Sequence, residues 1–487
     1  MMTYAVALPL VAAFLLPILH GAARWLGAVA GPAALVAVLL VVYQSWQPAA
    51  LPFAIDLGGF APPWGITFYV DSLALLFCAA VALMTLLLWP RDEGEGDTDA
   101  LVRRRVLTLL LAAAAAGLAL SGDLFNIYVF YELAAVASYG LAAERGTPAA
   151  YAAAFRYLML SALGSVIALF GIAIVYFQTG TLNLAHLALV AEELQGPAGI
   201  AAFLCLLVGF GVKAELFPVN AWVPEVYGVT TRRTAGLLAG VVSKLAVLVL
   251  VRLLVLVFPQ EELRDVLLVL GVLGMVGGEL AAWKARDMAR MLAFSSIGQL
   301  GLVFVAFSLP GDAGLVAGII VAVHHLVLKP GLFMLAGQWG GGLQGLVGAA
   351  RRAPLAGLLF VLFALSLVGL PPLPGFWAKF LVLTGLAGEA GGLAWLAIVA
   401  IIVATVLEVS YLFRLAGRLY SRGDEGAPAG AAGGGYPVTA GLLGALLVAA
   451  VVFAVPLWEV VQDMAAEAGD VALYVRTVGP MTGGGAP

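Results

Sequence analysis

The stretch LVGFGVKAELFPVNAWVPEVYG, residues 207–228, sets a lysine, two glutamates and two prolines directly after an apolar run that begins near residue 199. About 20 apolar residues cross a hydrocarbon core of about 30 Å, so residues 199–217 read as a membrane helix. Pro218 and Pro224 lack a backbone donor and interrupt it. Non-helical backbone at membrane depth is tolerated only where it faces protein or a water-filled cavity. The stretch therefore reads as a broken transmembrane helix with an ionisable side chain, Lys213, at the break. A second such stretch, GLPPLPGFWAKF at residues 369–380, places Pro371, Pro372 and Pro374 just before Lys379.

The rest of the chain agrees with that reading. Of 487 residues, 63% are hydrophobic and 11% charged, with a mean hydropathy of +1.07, against about 25% charged in soluble domains. This is the composition of an all-α polytopic membrane protein. The formal net charge of −4 decides little, because its distribution across the membrane matters more than its sum. No basic cluster points to nucleic acid. Cys78 and Cys205 lie in apolar runs without paired spacing, so neither a disulfide nor a metal site is expected. Four of the five lysines, Lys213, Lys244, Lys329 and Lys379, lie in or at the edge of long apolar segments, while the nineteen arginines mostly occupy polar gaps. Arginine stays charged in any protein setting, whereas a desolvated lysine can release its proton near neutral pH. The distribution favours proton movement.

On the same length rule the chain divides into about fourteen spans between residues 4 and 458, two of them broken. The first apolar run lacks a basic n-region and is followed directly by further spans, so it is expected to be a first helix rather than a signal peptide. Basic residues accumulate on the cytoplasmic side of a membrane. Counted in order, the odd gaps hold Arg24; Arg91 with Arg103, Arg104 and Arg105; Arg145; Arg232 and Arg233; Lys284, Arg286 and Arg290; Arg351 and Arg352; and Arg414, Arg418 and Arg422. The even gaps hold almost no base apart from Arg264, and acids such as Asp56, Glu192, Glu193 and Asp312. Both termini are thus expected outside the cell, with the chain in a bacterial-type inner membrane. A single membrane domain covers residues 1–487. Its polar tail, residues 459–487, is expected to be extracytoplasmic and, like the glycine-rich stretch near 425–435, mobile.

A faint internal repeat underlies the spans. Lys213 is followed 31 residues later by Lys244, and Lys379 is followed 29 residues later by Glu408. Counting back about 80 residues from each broken-helix lysine reaches Glu132 and the neighbourhood of Gln299. The units are five helices each, residues 105–257 and 265–420. An odd number of spans inverts the second copy, the plan of many transporters with ionisable sites at the bilayer midplane.

The candidate site residues follow from the cost of burying charge. Glu132, in SGDLFNIYVFYELAAVASYG at 121–140, must be protonated or paired unless it merely packs helices. Asp123 starts the same helix and suits an N-cap. Lys213 needs a movable carboxylate partner to act as a proton switch. Glu215 is two residues on, on another helix face, and reaches Lys213 only through the break. Lys244, in AGVVSKLAVLVLVRL at 239–253, lies too deep to snorkel and has Ser243 beside it. In VAVHHLVLKPGLF at 321–333, His325 and Lys329 share a helix face and His324 points about 100° away. No carboxylate or cysteine completes a metal-ligand set there, so a hydrated proton relay is favoured over a metal, with polar packing as the plain alternative. Glu408, in ATVLEVSYLFR at 404–414, suits a pair with Arg414 or the end of a path. No nucleotide, haem or iron–sulfur motif is present. No cofactor is expected, and the driving force must come from an ion gradient or a partner.

The segments DLFNIYVFYE, VKAELFPVNAWVPEVYG, AGVVSKLAVLVLVRL, ARDMARMLAFSSIGQLG, HHLVLKPGLF and GLPPLPGFWAKF occur in this order. As a set they resemble the proton-translocating antiporter-like family, over residues 65 to 415. That family comprises the large membrane subunits of respiratory complex I, the related subunits of membrane-bound hydrogenases, and the A-type and D-type subunits of Mrp sodium/proton antiporters, with the Mrp D-type the nearest in look. The resemblance implies fourteen helices with two inverted five-helix repeats, and work inside a hetero-oligomeric complex. It implies a Glu132–Lys213 pair, Lys244 as the central relay lysine, His325 and Lys329 in the middle segment and Lys379 as the terminal lysine. The chain departs from the family pattern at Asn220, usually His or aromatic, at Gly228, Val229, Thr230 and Thr231, usually an Ala-Pro stretch, and at Glu215, usually apolar or small.

The expected function is thus a proton-conducting, antiporter-like subunit of a multisubunit membrane complex, exchanging a cation such as Na+ for protons through a Glu/Lys/His relay. The alternative is the proton-pumping membrane subunit of a redox complex whose redox centres reside in other subunits. The expected partners are other membrane subunits, protons, Na+ and lipid. A non-transporting scaffold is a third, weaker reading, since buried lysines are costly.

Overall fold

The apolar runs fold as helices whose ends are closed by short polar side chains. The computed structural model describes residues 1–47, 50–62, 65–91, 98–339, 342–389, 391–422 and 435–479. The chain opens with α1 (Tyr4–Ala22) and α2 (Arg24–Ser45), a hairpin of β1 (Phe53–Asp56) and β2 (Thr67–Val70), and α3 (Ser72–Leu87). Next come α4 (Thr98–Leu120), α5 (Leu124–Ala143), α6 (Pro148–Thr179), α7 (Leu184–Leu189), α8 (Pro197–Gly211), α9 (Trp222–Val229), α10 (Arg232–Leu237) and α11 (Ser243–Leu256). The remainder is α12 (Glu261–Lys284), α13 (Met288–Ser308), α14 (Gly311–Trp339), α15 (Ala349–Arg352), α16 (Pro354–Val368), α17 (Pro374–Gly388), α18 (Gly392–Tyr420), α19 (Tyr436–Val452), α20 (Ala454–Gly469) and α21 (Val471–Val478).

Caps fix where these helices start. Asp71 accepts from the amide of Ala74 at 2.7 Å, Asp123 from Phe125 and Asn126 at 2.9 and 3.0 Å, and Asp287 from Arg290 at 2.8 Å, each satisfying donors the first helical turn leaves open. Asp123 thereby takes the capping place expected of it. Among the described residues nine helices are long and apolar enough to cross a membrane, and α19 with α20, bent by 88°, makes a tenth. The apolar helices α3, α8 and α16 are shorter.

Both proline-rich stretches interrupt helices. After α8 the backbone runs through turns from residue 212 to 221 before α9 begins, and Glu215 within it has φ of 58°. After α16, Gly369 takes φ of 90°, a left-handed value that glycine adopts without a Cβ clash, and α17 begins five residues later. A cis peptide bond precedes Pro218 and another precedes Pro372.

Two features depart from the expectation of helices and a mobile tail. The β1–β2 hairpin is a short antiparallel pair, Phe53 opposite Val70 and Asp56 opposite Thr67, which delivers the chain to the Asp71 cap of α3. Residues 454–478 are helical rather than a loose tail. Met464, Ala465 and Tyr474 are buried, the Tyr474 ring centroid lies 3.8 Å from that of Tyr69, and Glu467 accepts from the amide of Ser72 at 3.1 Å. An amphipathic helix is half polar by composition, which is why this segment reads as a tail in sequence. The glycine-rich stretch near 425–435 lies outside the described residues except for Gly435.

The centre of the molecule is α11, α13 and α14. Of the spans that contain them, 94%, 94% and 83% is buried, against 28% for α1 and for α2. The helices that carry Lys244 and Lys329 are therefore inner ones. Glycines let this core close up. A Cβ on Gly240 would lie 2.8 Å from Cγ of Pro330 and 3.3 Å from the Leu326 carbonyl, so a side chain there would push α14 away from the helix of Lys244.

Candidate proton-transfer site

The first station is built by α5, α6 and the end of α8. Lys213 follows α8 where the helix is about to break, and it is buried with its ammonium 3.3 Å from the centroid of the Tyr131 ring, a cation–π contact. Its Nζ donates to Ser161 Oγ at 3.1 Å. Glu132 does not touch Lys213 directly. Its Oε1 accepts instead from Ser165, one turn along α6 from Ser161. The expected pair is thus not closed as an ion pair, and each partner bonds a different serine of α6, four residues apart. Tyr131 is held by its own hydroxyl, which donates to the Gly209 carbonyl at 2.7 Å, and Trp222 Nε1 donates to the Val212 carbonyl at 2.8 Å.

Glu215 lies in the break itself and turns away from Lys213. Its φ of 58° is not helical, so its facing is set by the turn and not by the pitch of α8. Its Oε1 accepts from the Tyr227 hydroxyl at 2.8 Å, and its backbone carbonyl accepts from Asn220 Nδ2 at 3.1 Å. Asn220, one departure from the family pattern, thus holds the turn that carries another.

Lys244 is the second residue after a π-helical turn, Leu238–Val242, that joins α10 to α11. Such turns free main-chain carbonyls and recur at functional sites. Here the Ala239 carbonyl accepts from both Lys244 Nζ and Ser243 Oγ, and Lys244 also donates to Ser243 Oγ at 3.0 Å.

Beyond it, α14 fans its polar groups onto two neighbours. Lys329 Nζ donates to Ser295 Oγ at 2.7 Å and His325 Nε2 lies 3.5 Å from Ser296 Oγ, so both face α13. His324 points the other way, its Nε2 2.9 Å from Ser366 Oγ on α16. Ser295 passes the connection on, with the Tyr411 hydroxyl 2.7 Å away and that hydroxyl 2.8 Å from Glu279 Oε2.

The last station is a buried ion pair. Lys379 Nζ lies 2.5 Å from Glu408 Oε2 and donates to the Val368 carbonyl at 3.1 Å, while Gln299 Nε2 donates to Glu408 Oε1 at 2.8 Å. Glu408 therefore does not pair with Arg414, whose guanidinium donates to the Trp283 carbonyl at 2.5 Å. Six residues turn a helix through about 600°, leaving the two side chains about 120° apart.

Glu279, Tyr411, Ser161, Ser165 and Ser295 join the polar network of the candidate site and were not selected from the sequence. Glu279, in GMVGGELAAWK at 274–284, carries the same signal as Glu132, a carboxylate inside an apolar span. The hydroxyls carry none, because serine and tyrosine are common in such helices. The departures at Thr230 and Thr231 also gain a use. Together with Thr234 they surround Glu144 at the end of α5. Its Oε1 accepts from the Thr231 hydroxyl, from Thr234 at 2.8 Å, from Thr230 at 3.4 Å and from the Thr231 amide at 3.3 Å, and Arg104 Nε lies 3.5 Å from Oε2.

Comparison with known proteins fits this geometry. Residues 121–407 match the family described as NADH:quinone oxidoreductase/Mrp antiporter, TM. The chain is 32% identical over 319 residues to NADH-quinone oxidoreductase subunit N of Desulforudis audaxviator (strain MP104C), covering 62% of this chain and 63% of that one. It is 28% identical over 308 residues to the putative antiporter subunit mnhD2 of Staphylococcus aureus (strain MRSA252), covering 62% and 61%. In each case the match spans less than two thirds of the relative. A solved subunit of the membrane-bound sulfane sulfur reductase, an archaeal respiratory membrane complex, superposes over 98% of this chain and 99% of its own, with a TM-score of 0.90 at 30% identity. The chain belongs to the NADH:quinone oxidoreductase/Mrp antiporter transmembrane family.

Proposed function

We propose that this chain is a proton-conducting, antiporter-like subunit of a multisubunit membrane complex, of the Mrp cation/proton exchange type. The observation that carries this reading is that four buried lysines each hold a hydrogen bond to a serine, a carboxylate or a freed carbonyl inside apolar helices. Burying an ammonium is costly unless it is paired and used. Protons pass from Glu132 and Lys213 to Lys244, on through His325 and Lys329, and out by Lys379 and Glu408. His324, Glu215, Ser243 and Gln299 support these stations. The separation of Glu132 from Lys213, each held by its own serine, gives the switch its play. Bringing Glu132 onto Lys213, or moving it away, changes how tightly the lysine holds its proton, and each unit of such a change corresponds to about 1.4 kcal/mol.

The two halves, residues 105–257 and 265–420, work as inverted repeats, each with a lysine at a broken helix and an ionisable group, Lys244 or Glu408, on the helix that follows. Counting each broken pair as one span gives fourteen crossings. The alternation of basic loops supports a bacterial inner membrane location with both termini outside, and residues 459–478 on that outer face.

Replacement of Lys213 by Ala tests the reading. In inverted vesicles with the complex assembled, proton transport should be lost. Unimpaired transport in that variant removes the mechanism.

A second reading has its own support in the chain-long likeness to the sulfane sulfur reductase subunit. On this second reading the relay of this chain is the proton-pumping arm of a redox complex. Affinity purification in mild detergent followed by mass identification separates the two. Small antiporter subunits without cofactors favour the first, and iron–sulfur subunits the second.

A further inference from the structure

One face of α11 runs from Lys244 to the end of the helix by way of Val247, Leu248, Val251, Leu254 and Val255. Two cavities lie along it. The inner one, of about 20 Å³, is lined by Lys244, Val247, Leu248 and Val251, with Leu73 and Phe77 of α3, Phe307 of α13 and Ile319, Ala322 and Val323 of α14. The outer one, of about 160 Å³, is lined by Val251, Leu254 and Val255 together with Phe307, Arg264, Asp312 and the junction of α20 and α21 at Gly469 and Val471. Val251 and Phe307 border both cavities and so stand between them.

The two spaces differ in chemistry. The inner one has room for about one water, which needs roughly 10–15 Å³. Apart from the lysine, every side chain around it is apolar, and such cavities stay dry. The lysine ammonium is turned away, towards Ala239 and Ser243. The outer one has a polar mouth. Arg264 there donates to the Leu309 carbonyl at 3.3 Å, and Asp312 is exposed. The ring of Phe307 occupies space that exists only because residue 318 is glycine, since a Cβ on Gly318 would collide with it.

We propose that Phe307 and Val251 form a hydrophobic gate between Lys244 and the membrane face that bears Arg264 and Asp312, through which Lys244 exchanges its proton with that side. The proposal rests on the reading of Lys244 as a relay lysine. A narrow apolar constriction excludes water while closed and conducts once wetted. Lysine has a flexible four-carbon stem, long enough to carry its ammonium from the Ala239 carbonyl into the inner cavity when that cavity fills. No other ionisable side chain lines the inner cavity, so the lysine is the group a water entering there meets.

Cysteine accessibility in the assembled complex tests this, in a background where Cys78 and Cys205 are replaced by Ala. The probe is a membrane-impermeant sulfonated methanethiosulfonate applied to each side of sealed vesicles in turn. Leu254→Cys should react from the Arg264 side, while Leu248→Cys should be protected. Adding Phe307→Ala should speed modification of Leu248→Cys by about tenfold or more, equivalent to lowering a barrier by about 1.4 kcal/mol. Phe307→Leu, which removes the ring but keeps an apolar side chain at the gate, provides the same test if Phe307→Ala fails to assemble. Protection of Leu254→Cys, or equal reactivity of Leu248→Cys with and without the gate substitution, overturns the proposal. Phe307→Ala should also raise passive proton leak, and Lys244→Ala should abolish the increase. A leak that persists without Lys244, beside an opened cavity, overturns the relay role of Lys244 while leaving the gate in place.

Discussion

The Tyr411 hydroxyl on α18 lies 2.8 Å from the Glu279 carboxylate on α12, across 132 residues of sequence, and it also lies 2.7 Å from Ser295 Oγ, which Lys329 holds. Two helices distant in sequence are thereby joined to the middle lysine by one phenol. Networks of this kind act as units in a low-dielectric interior.

Replacing Tyr411 by Phe keeps the ring and deletes that link. A buried carboxylate oxygen is left without its donor, which costs about 1–3 kcal/mol of stability. Proton transport should fall by more than stability does, on the order of a hundredfold, the scale of one positioned proton-transfer group. Fluorescence-quench assays in inverted vesicles with quantified assembly measure it, and normal flux removes Tyr411 from the path.

The Lys379–Glu408 pair separates structure from function. Removing one partner of a buried pair costs about 3–5 kcal/mol, whereas replacing both with apolar groups is often neutral. Lys379→Met and Glu408→Leu should each lower the thermal midpoint of the purified complex, and the double variant should recover it. Transport should remain absent in all three. Recovery of transport in the double variant contradicts a proton-carrying role for the pair.

What the sequence made legible were charges set against apolar surroundings. Lys213 and Lys379 stand out because each adjoins a proline break, and Glu132 and Lys244 because each is an ionisable side chain well inside an apolar span. Pairings were less legible. Glu408 had an apparent partner in Arg414, six residues away, yet its real partners are Lys379 and Gln299 on other helices. The bonding of Lys213 to Ser161 and of Glu132 to Ser165 depends on how α6 is rotated between α5 and α8, which no local pattern encodes. The hairpin at Phe53–Val70 and the helices after Ala454 were hidden for a different reason. They are short or amphipathic pieces at the rim, where composition is mixed and hydropathy discriminates poorly.

Glu144 gives a pH-dependent prediction. It lies just past the end of α5, outside the span, and burial raises its carboxyl above the ordinary range despite the Thr231 and Thr234 hydroxyls and the Arg104 guanidinium. A carboxyl raised in the folded state favours folding while it is protonated. Its contribution is therefore complete below the ordinary carboxylate range and is lost as pH rises through the raised value. Glu144→Gln, which keeps the acceptor without the charge, should flatten this part of the profile. Thermal midpoints of both proteins measured across that window check the prediction, and identical slopes contradict it.

The approach of α12 to α13 supplies the last. A Cβ on Gly298 would fall onto the Glu279 carboxylate, 2.8 Å from its Cδ, whereas nothing lies within 4 Å of a Cβ on Gly277. Alanine is the better helix former at both positions, by about 0.8–1 kcal/mol. At Gly277 that preference should appear as unchanged or slightly higher stability. At Gly298 crowding costs about 1–3 kcal/mol and drives Glu279 from Tyr411. Gly298→Ala should therefore lower the thermal midpoint and impair transport while Gly277→Ala does neither. Equal behaviour of the two variants shows that α12 and α13 yield enough to absorb a methyl group, and that Glu279 does not need the glycine opposite it.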